Sequence, residues 1–478
     1  GRLIALISTF FLPVLLVRLI SKGNFGIYQQ FNNLTLIFKA IIPFGLSSSL
    51  LYHFPNLEEQ NKKLFIFQTN TLLIVFSFLG AIGIFFSGKL LFSSMQTESY
   101  TFLKVMLPIS LFLLSSTTAI DYIFIVEHNN VLLFWVPIFE AFLRTLLVLG
   151  GAYFLNDFRG AVVGFVFYAL VQFLFYQFYS MKKYKCNFKE ILNIKLPDIK
   201  KELTYSLPFG FAVLFSTLSN RIDKVYSIYF LTEEQYALYA VAFYSIPFIS
   251  IFFDSIFKTA IPVLSRYYAN NEIHNASHLY RSIVTKISSC VIPVVVFVFI
   301  FAADIIVLLF TDAYSASTNY YRMYICTIFI IMLGPGIVLR SFDKTKYSMH
   351  YQFIAALIVI PLGYFLVKHF LIYGAMISSI LGISIPCFLQ LEHERKLLKL
   401  KRTEWLPWKN LFKISISSLL LGYTIREIFK FISQEIYFLL ISFSLYIFFT
   451  LLWQIKTHIF CYPEVINILK KRLRIISL

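Results

Sequence analysis

Apolar residues run along this chain in long blocks separated by short polar breaks. Leu64–Gly88 holds 25 residues without a charge, Ala161–Met181 holds 21 and Ile436–Ile455 holds 20. Tyr347–Val367 and His369–Leu391 are parted only by Lys368, with Tyr373-Gly374 nearby as a turn. A hydrocarbon core about 30 Å thick is crossed by roughly 20 apolar residues in a helix. The pattern therefore predicts an all-α polytopic membrane protein with about 14 spans. These lie at approximately 2–20, 26–51, 64–87, 101–125, 131–154, 161–181, 204–231, 235–264, 280–309, 318–340, 346–367, 370–391, 408–425 and 436–455. The window 408–425 is the weakest, since its uncharged run covers only Ile414–Ile425. The chain opens already apolar at Leu3, without the polar start and cleavage site of a signal peptide, and reads as a shortened first helix.

Composition sharpens this picture. Of 478 residues, 58% are hydrophobic and 14% charged, against about 25% charged in ordinary soluble domains. A soluble enzyme and a disordered chain are both excluded. The net charge of +18 would suggest nucleic acid in a soluble protein, but here it follows the positive-inside rule and implies no nucleic-acid partner. With both termini cytoplasmic, the inner loops and tail carry 25 Lys and Arg and the outer loops carry 7. Trp405, Trp408 and Trp453 then fall at the inner interface. The tail Pro463–Leu478, with Lys470-Lys471-Arg472-Leu473-Arg474, reads as a basic helix lying on an anionic phospholipid bilayer.

The chain also echoes itself. Arg18-Leu19-Ile20-Ser21-Lys22-Gly23-Asn24-Phe25-Gly26-Ile27-Tyr28 resembles Tyr229-Phe230-Leu231-Thr232-Glu233-Glu234-Gln235-Tyr236-Ala237-Leu238-Tyr239, at an offset of 211 without a gap. The longest basic loop, 182–202, lies between the copies. Six spans in each half make the repeats parallel, an arrangement that places a transport site between two rocking lobes. Three segments follow: 1–200 as the N-terminal lobe with its basic linker, 201–394 as the C-terminal lobe, and 395–478 as two further helices and the tail.

Particular residues carry a family resemblance. Ser219-Asn220-Arg221-Ile222-Asp223 through Tyr239-Ala240, then Ile261-Pro262-Val263-Leu264-Ser265-Arg266, resemble the polysaccharide-biosynthesis flippases. So do Leu19 to Tyr28, followed by Ile42-Pro43-Phe44-Gly45-Leu46-Ser47-Ser48-Ser49-Leu50. The family belongs to the multidrug/oligosaccharidyl-lipid/polysaccharide (MOP) exporter superfamily, and includes O-antigen-type flippases. Asp223, the step Tyr236 to Tyr239, and Pro262 with Ser265 stand where the family pattern has them, whereas Glu234-Gln235 replaces its usual Leu-Gly. The resemblance implies two six-helix bundles around a central cavity, plus two extra helices, in a bacterial cytoplasmic (inner) membrane. It implies a flippase that carries an undecaprenyl-diphosphate-linked oligosaccharide to the outer leaflet for cell-surface polysaccharide assembly, beside glycan polymerase machinery. It implies no bound cofactor, with H+ or Na+ as the coupling ion.

Charges inside the spans give the candidate site, because each costs a few kcal/mol in a bilayer and is commonly functional. Lys39 falls near the centre of span 2, and Glu140 and Arg144 near the centre of span 5. Arg221, Asp223 and Lys224 lie in span 7, Asp254 and Lys258 in span 8, and Lys286 in span 9. Glu140–Arg144 and Asp254–Lys258 have the i,i+4 spacing of intrahelical ion pairs. Lys39 has no acid at i±3 or i±4 and needs a partner from another helix or a ligand. The expected diphosphate-binding set is Lys39, Arg144, Arg221, Lys224, Lys258 and Lys286, with Glu140, Asp223 and Asp254 as charge partners or ion-coupling groups. A wet cationic cavity suits an anionic headgroup whose lipid tail stays in hydrocarbon. Proline within many spans, and Gly334-Pro335-Gly336 in span 10, mark helix breaks.

Other chemistry is not supported. The five cysteines are scattered without CxxC, and His274 and His278 lack an HExxH setting, so no metal site is expected. There is no P-loop and no nucleophile with a positioned base, so the chain is not read as an enzyme. An ion-coupled multidrug exporter of the same superfamily is the alternative. Its usual chain has about twelve spans and a less cationic cavity. A membrane glycan polymerase or ligase needs a larger outer loop than the stretch near 88–100.

Overall fold

The computed structural model describes residues 2–92, 97–184, 196–244, 247–429 and 435–457. The proposed tail helix and the centre of the long basic loop lie outside these residues. Among them the regular structure is helical, with no strand. The chain runs α1 (Arg2–Leu16), α2 (Lys22–Ile41), α3 (Leu46–His53), α4 (Glu59–Leu91), α5 (Thr97–Ser115), α6 (Ile120–Val126), α7 (Asn130–Leu155) and α8 (Phe158–Tyr184). There follow α9 (Leu196–Phe230), α10 (Glu233–Ala242), α11 (Pro247–Ala269), α12 (Ile273–Ile300) and α13 (Ala302–Phe310). The last are α14 (Thr318–Ile325), α15 (Ile328–Ile331), α16 (Ile337–Ser341), α17 (Thr345–Leu397), α18 (Trp408–Phe429) and α19 (Glu435–Lys456).

Every apolar window read from the sequence is occupied by helix, whole or broken. Among the described residues, seven helices are each long and apolar enough to cross a membrane. One of them, α17, loses helical geometry at Leu371 and so holds two windows. The side-chain exposure fits hydrocarbon rather than water. On α7, Trp135, Phe139, Phe142 and Leu146 recur at helical spacing and are 54–61% exposed. Such a continuous apolar stripe on a long helix is stable against lipid. The protein is a multi-pass membrane protein.

The breaks have local causes. Pro43 follows α2, and Gly45 turns the chain at φ +80° into α3, bent 42° from α2. A side chain at Gly45 would also meet the Ser206 carbonyl at 2.8 Å. In span 10, Gly334-Pro335-Gly336 separates α15 from α16, with Gly336 at φ +87°. The amides exposed at the start of α16 are not orphaned: Val338 and Leu339 donate to Glu394 Oε1 at 2.7 and 3.1 Å. Glu394, fully buried at the end of α17, thus completes a broken helix.

The two copies begin with matching helix caps. Ser21 caps α2 by accepting the Asn24 N–H, and Thr232 caps α10 by accepting the Gln235 N–H. Gln235 returns a bond from the Thr232 N–H to its own Oε1, closing a capping box. That explains Gln235 where the family pattern has glycine. The two copies also meet. A Cβ on Gly26 would stand 1.9 Å from the Glu233 carbonyl oxygen and 3.3 Å from the Ala237 nitrogen. Only glycine lets the start of α2 cross α10 so closely.

The chain packs as two compact units, residues 1–241 with 352–383, and 242–351 with 384–478. Packing thus joins α9 and most of α10, which the repeat places in the second half, to the N-terminal helices. In the first unit α7 also crosses α8 closely. A Cβ on Gly160 would lie 2.0 Å from the Gly151 oxygen, and one on Gly164 2.0 Å from the Leu147 oxygen. Gly160-x-x-x-Gly164 is the small-residue spacing that lets membrane helices approach backbone to backbone. In the second unit α12 and α18 pack together, with Gln454 of α19 donating to the Ser289 carbonyl at 2.8 Å.

Candidate functional site

The glycine crossing of α7 and α8 holds a polar cluster in otherwise apolar surroundings. Glu140 and Arg144 are one turn apart on α7, but each engages a different helix. Gln172 of α8 donates to Glu140 Oε1 at 2.8 Å, and Arg144 donates to Asn32 Oδ1 of α2 at 2.8 Å. The i,i+4 spacing predicts an intrahelical pair; the amides of neighbouring helices take its place. The Arg144 guanidinium also lies over the Phe165 ring, 5.1 Å from its centroid. Its Nε–H is buried without an acceptor among the described residues.

Lys39, in the last turn of α2, belongs to the same cluster. The charges of Glu140, Asp121 and Arg144 all act on it. No direct hydrogen bond or ion pair holds its ammonium among the described residues. Two cations and two carboxylates make this cluster neutral overall, with unused donors on both cations. Glu140 and Gln172 also line an apolar cavity of about 190 Å³ with Trp135, Phe139, Tyr168 and Phe175.

A second cluster shares α2. Asn33, next to Asn32, donates to the Tyr236 hydroxyl of α10 at 3.0 Å. Tyr236 packs against Tyr239, their ring centroids 5.5 Å apart, and Tyr239 donates to Asp223 Oδ2 of α9. Lys224 Nζ stands 3.6 Å from the same oxygen. Asp223 is 1% exposed, and its Oδ1 has no partner among the described residues. Arg221, half-buried one turn away, acts electrostatically on Lys224. Consecutive asparagines on α2 thus reach both of these clusters.

The remaining candidates lie in the second unit. Lys258 on α11 and Lys286 on α12 are both exposed. The Asp254 side chain, and with it the proposed Asp254–Lys258 pair, lies outside the described residues. Asn32, Asn33 and Gln172 escape a search for charges alone. The signal for the asparagines is the run Gln29-Gln30-Phe31-Asn32-Asn33, four carboxamides inside an apolar window.

The all-helical bundle, its lipid-facing stripes and its buried charge clusters define a membrane-transporter fold. The family model described as "Polysaccharide biosynthesis protein" matches residues 2–268, and the chain belongs to that family. No curated protein matches the sequence. A structure of the lipid II flippase MurJ in an inward closed conformation aligns with a TM-score of 0.73 at 15% identity, covering 96% of this chain and 100% of that one. An inward-facing multidrug resistance MATE family transporter of the MOP superfamily aligns with a TM-score of 0.56 at 13% identity, covering 83% of this chain and 94% of that one. The Vibrio cholerae MATE transporter VcmN in its bent form gives 0.52 at 12%, covering 84% and 95%. The fold is shared with these structures, whose titles name a flippase and transporters.

Proposed function

We propose that this protein is a flippase that moves an undecaprenyl-diphosphate-linked oligosaccharide from the inner to the outer leaflet of a bacterial cytoplasmic membrane. The observation that carries this reading is the pair Lys39 and Arg144. Both are cations within membrane helices, and both keep donor capacity that no neighbour uses among the described residues. A diphosphate fits such a pair, since Arg offers a planar fork and Lys a point charge. Arg221 and Lys224 are further candidate cations in the first unit, and Lys258 and Lys286 are the candidates in the second. Glu140, Asp223 and Asp254 offset the charge and are the candidates for ion coupling.

The lipid tail needs no protein interior. A cavity of about 570 Å³ between α18 and α19 is nevertheless lined by Trp408, Phe412, Ile416, Leu420 and Trp453, with Lys409 and Lys413 beside them. The MurJ structure, itself named for a lipid-linked substrate, spans nearly the whole chain. The repeat-defined lobes 1–200 and 201–394 would alternate access, with 395–478 adding two helices. Glycan polymerase machinery would receive the cargo.

Binding to the purified protein tests headgroup recognition. Undecaprenyl diphosphate is expected to bind at least about tenfold more tightly than undecaprenol, a difference of ~1.4 kcal/mol. Lys39→Gln is expected to remove most of that preference. Equal binding of the two lipids by the native protein would contradict a diphosphate site.

A further inference from the structure

One buried carboxylate lies apart from both charge clusters. Glu202 stands at the foot of α9, before the apolar window 204–231, and is 1% exposed. Three side chains of α3 and α4 surround it. Ser49 Oγ is 2.9 Å and Thr69 Oγ1 2.7 Å from its Oε1, and Gln68 Nε2 is 2.8 Å from its Oε2. All three are neutral, and no charged side chain among the described residues acts on it. An ionised carboxylate buried without a counter-charge costs several kcal/mol, and such groups commonly take up a proton instead.

The hydroxyls are arranged for both states. Each has a single proton to donate and lone pairs to accept with. Ser49 Oγ also lies 2.7 Å from the Leu46 carbonyl oxygen, and Thr69 Oγ1 3.0 Å from that of Phe65. When Glu202 is ionised, both hydroxyls turn towards Oε1. When Oε1 carries a proton, it donates to one hydroxyl, which turns back to its own helix carbonyl. Gln68 keeps donating to Oε2 throughout. Both states are satisfied by rotating hydroxyl hydrogens, with no heavy atom displaced.

We propose that Glu202 is a proton-binding site of this protein, exchanging one proton with water through the cavity beside it. That cavity, about 190 Å³, is lined by His53, Leu57, Asn61, Leu64, Gln68 and Glu202. Its volume takes several waters at ~30 Å³ each, and Asn61 opens to the surface. His53 of α3 is the other titratable group lining it, its ring against Tyr52, Phe65 and Tyr205. Among the cations on the packed elements, Lys62 of α4 lies over the Phe54 ring, Lys63 of α4 is exposed, and Lys39 of α2 belongs to the Glu140 cluster. Burial drives the Glu202 carboxyl above the ordinary carboxylate range, and the bonds from Thr69, Gln68 and Ser49 pull it back only in part. The site stands whether or not the cargo is a glycolipid.

Infrared difference spectroscopy of the reconstituted full chain tests the site. The native protein is expected to show a carboxyl C=O band that fades as pH rises and is absent in Glu202→Gln, which keeps the shape of the side chain. Thr69→Val removes a donor that favours the ionised form and is expected to move the midpoint up by about one pH unit. This second variant retains Glu202, so the test holds even if Glu202→Gln fails to accumulate. Identical spectra for the native protein and Glu202→Gln at every pH would overturn the proposal. So would loss of the band on adding Na+ at constant pH, which would mark a metal-cation site, and so would an unmoved midpoint in Thr69→Val.

Discussion

Replacing Lys39 by Ala, or Arg144 by Ala, is expected to slow glycolipid translocation by roughly 30- to 700-fold, the equivalent of ~2–4 kcal/mol for a lost charge-assisted contact. The two variants separate function from stability differently. Lys39 makes no direct bond within the described residues, so Lys39→Ala should leave thermal stability within ~0.5 kcal/mol of native. Arg144→Ala also loses the bond to Asn32 and the stacking on Phe165, and should lower stability as well as rate. Arg144→Lys retains the charge without the planar fork, so it should recover only part of the rate. Native translocation by a well-expressed Lys39→Ala, Arg144→Ala double variant would remove both residues from the transport path.

The largest structural effect is expected at the α7–α8 crossing. Gly164→Leu places a side chain where even a Cβ would lie 2.0 Å from the Leu147 oxygen. No rotamer relieves a clash between two backbones, so the helices must separate. That undoes the placement of Glu140 and Arg144 against Gln172 and Phe165. The expected loss exceeds ~4 kcal/mol, enough to remove most folded protein. Gly150→Ala is the matched control on α7, because nothing lies within 4 Å of its added Cβ, and it should be neutral. Melting temperature and monodispersity in detergent measure both. A Gly164→Leu variant as stable as native would mean that the helices do not cross at this point.

These cases show what the sequence reveals and what it conceals. The spans are legible because a bilayer demands a fixed length of apolar helix, and each window holds helix. The matching caps, Ser21 and Thr232, are legible because each is local in sequence, whereas the crossing of Gly26 on α10 is not. Gly160-x-x-x-Gly164 is also local, yet two glycines reveal a close approach only when the facing helix is known. Partners are harder still. The spacing of Glu140 and Arg144 points to an intrahelical bond, and the structure gives each to another helix, where Gln172 of α8 and Asn32 of α2 offer side-chain amides. Glu202 and Glu394 sit among loop-side charges and resemble solvated residues. Their burial comes from partners far along the chain: 153, 134 and 133 residues away for Glu202, and 56 and 55 for Glu394.

The central claim is transport of a diphosphate-linked glycan, and transbilayer movement tests it most directly. The protein is reconstituted into vesicles carrying an undecaprenyl-diphosphate oligosaccharide, with and without an ion gradient, and a lectin reads the glycan that reaches the far leaflet. Movement well above that of protein-free vesicles, lost in Lys39→Ala, is the expected result. No movement above protein-free vesicles for several such glycans, with gradient-driven efflux of a cationic dye from the same preparation, would contradict the flippase account in favour of a drug exporter.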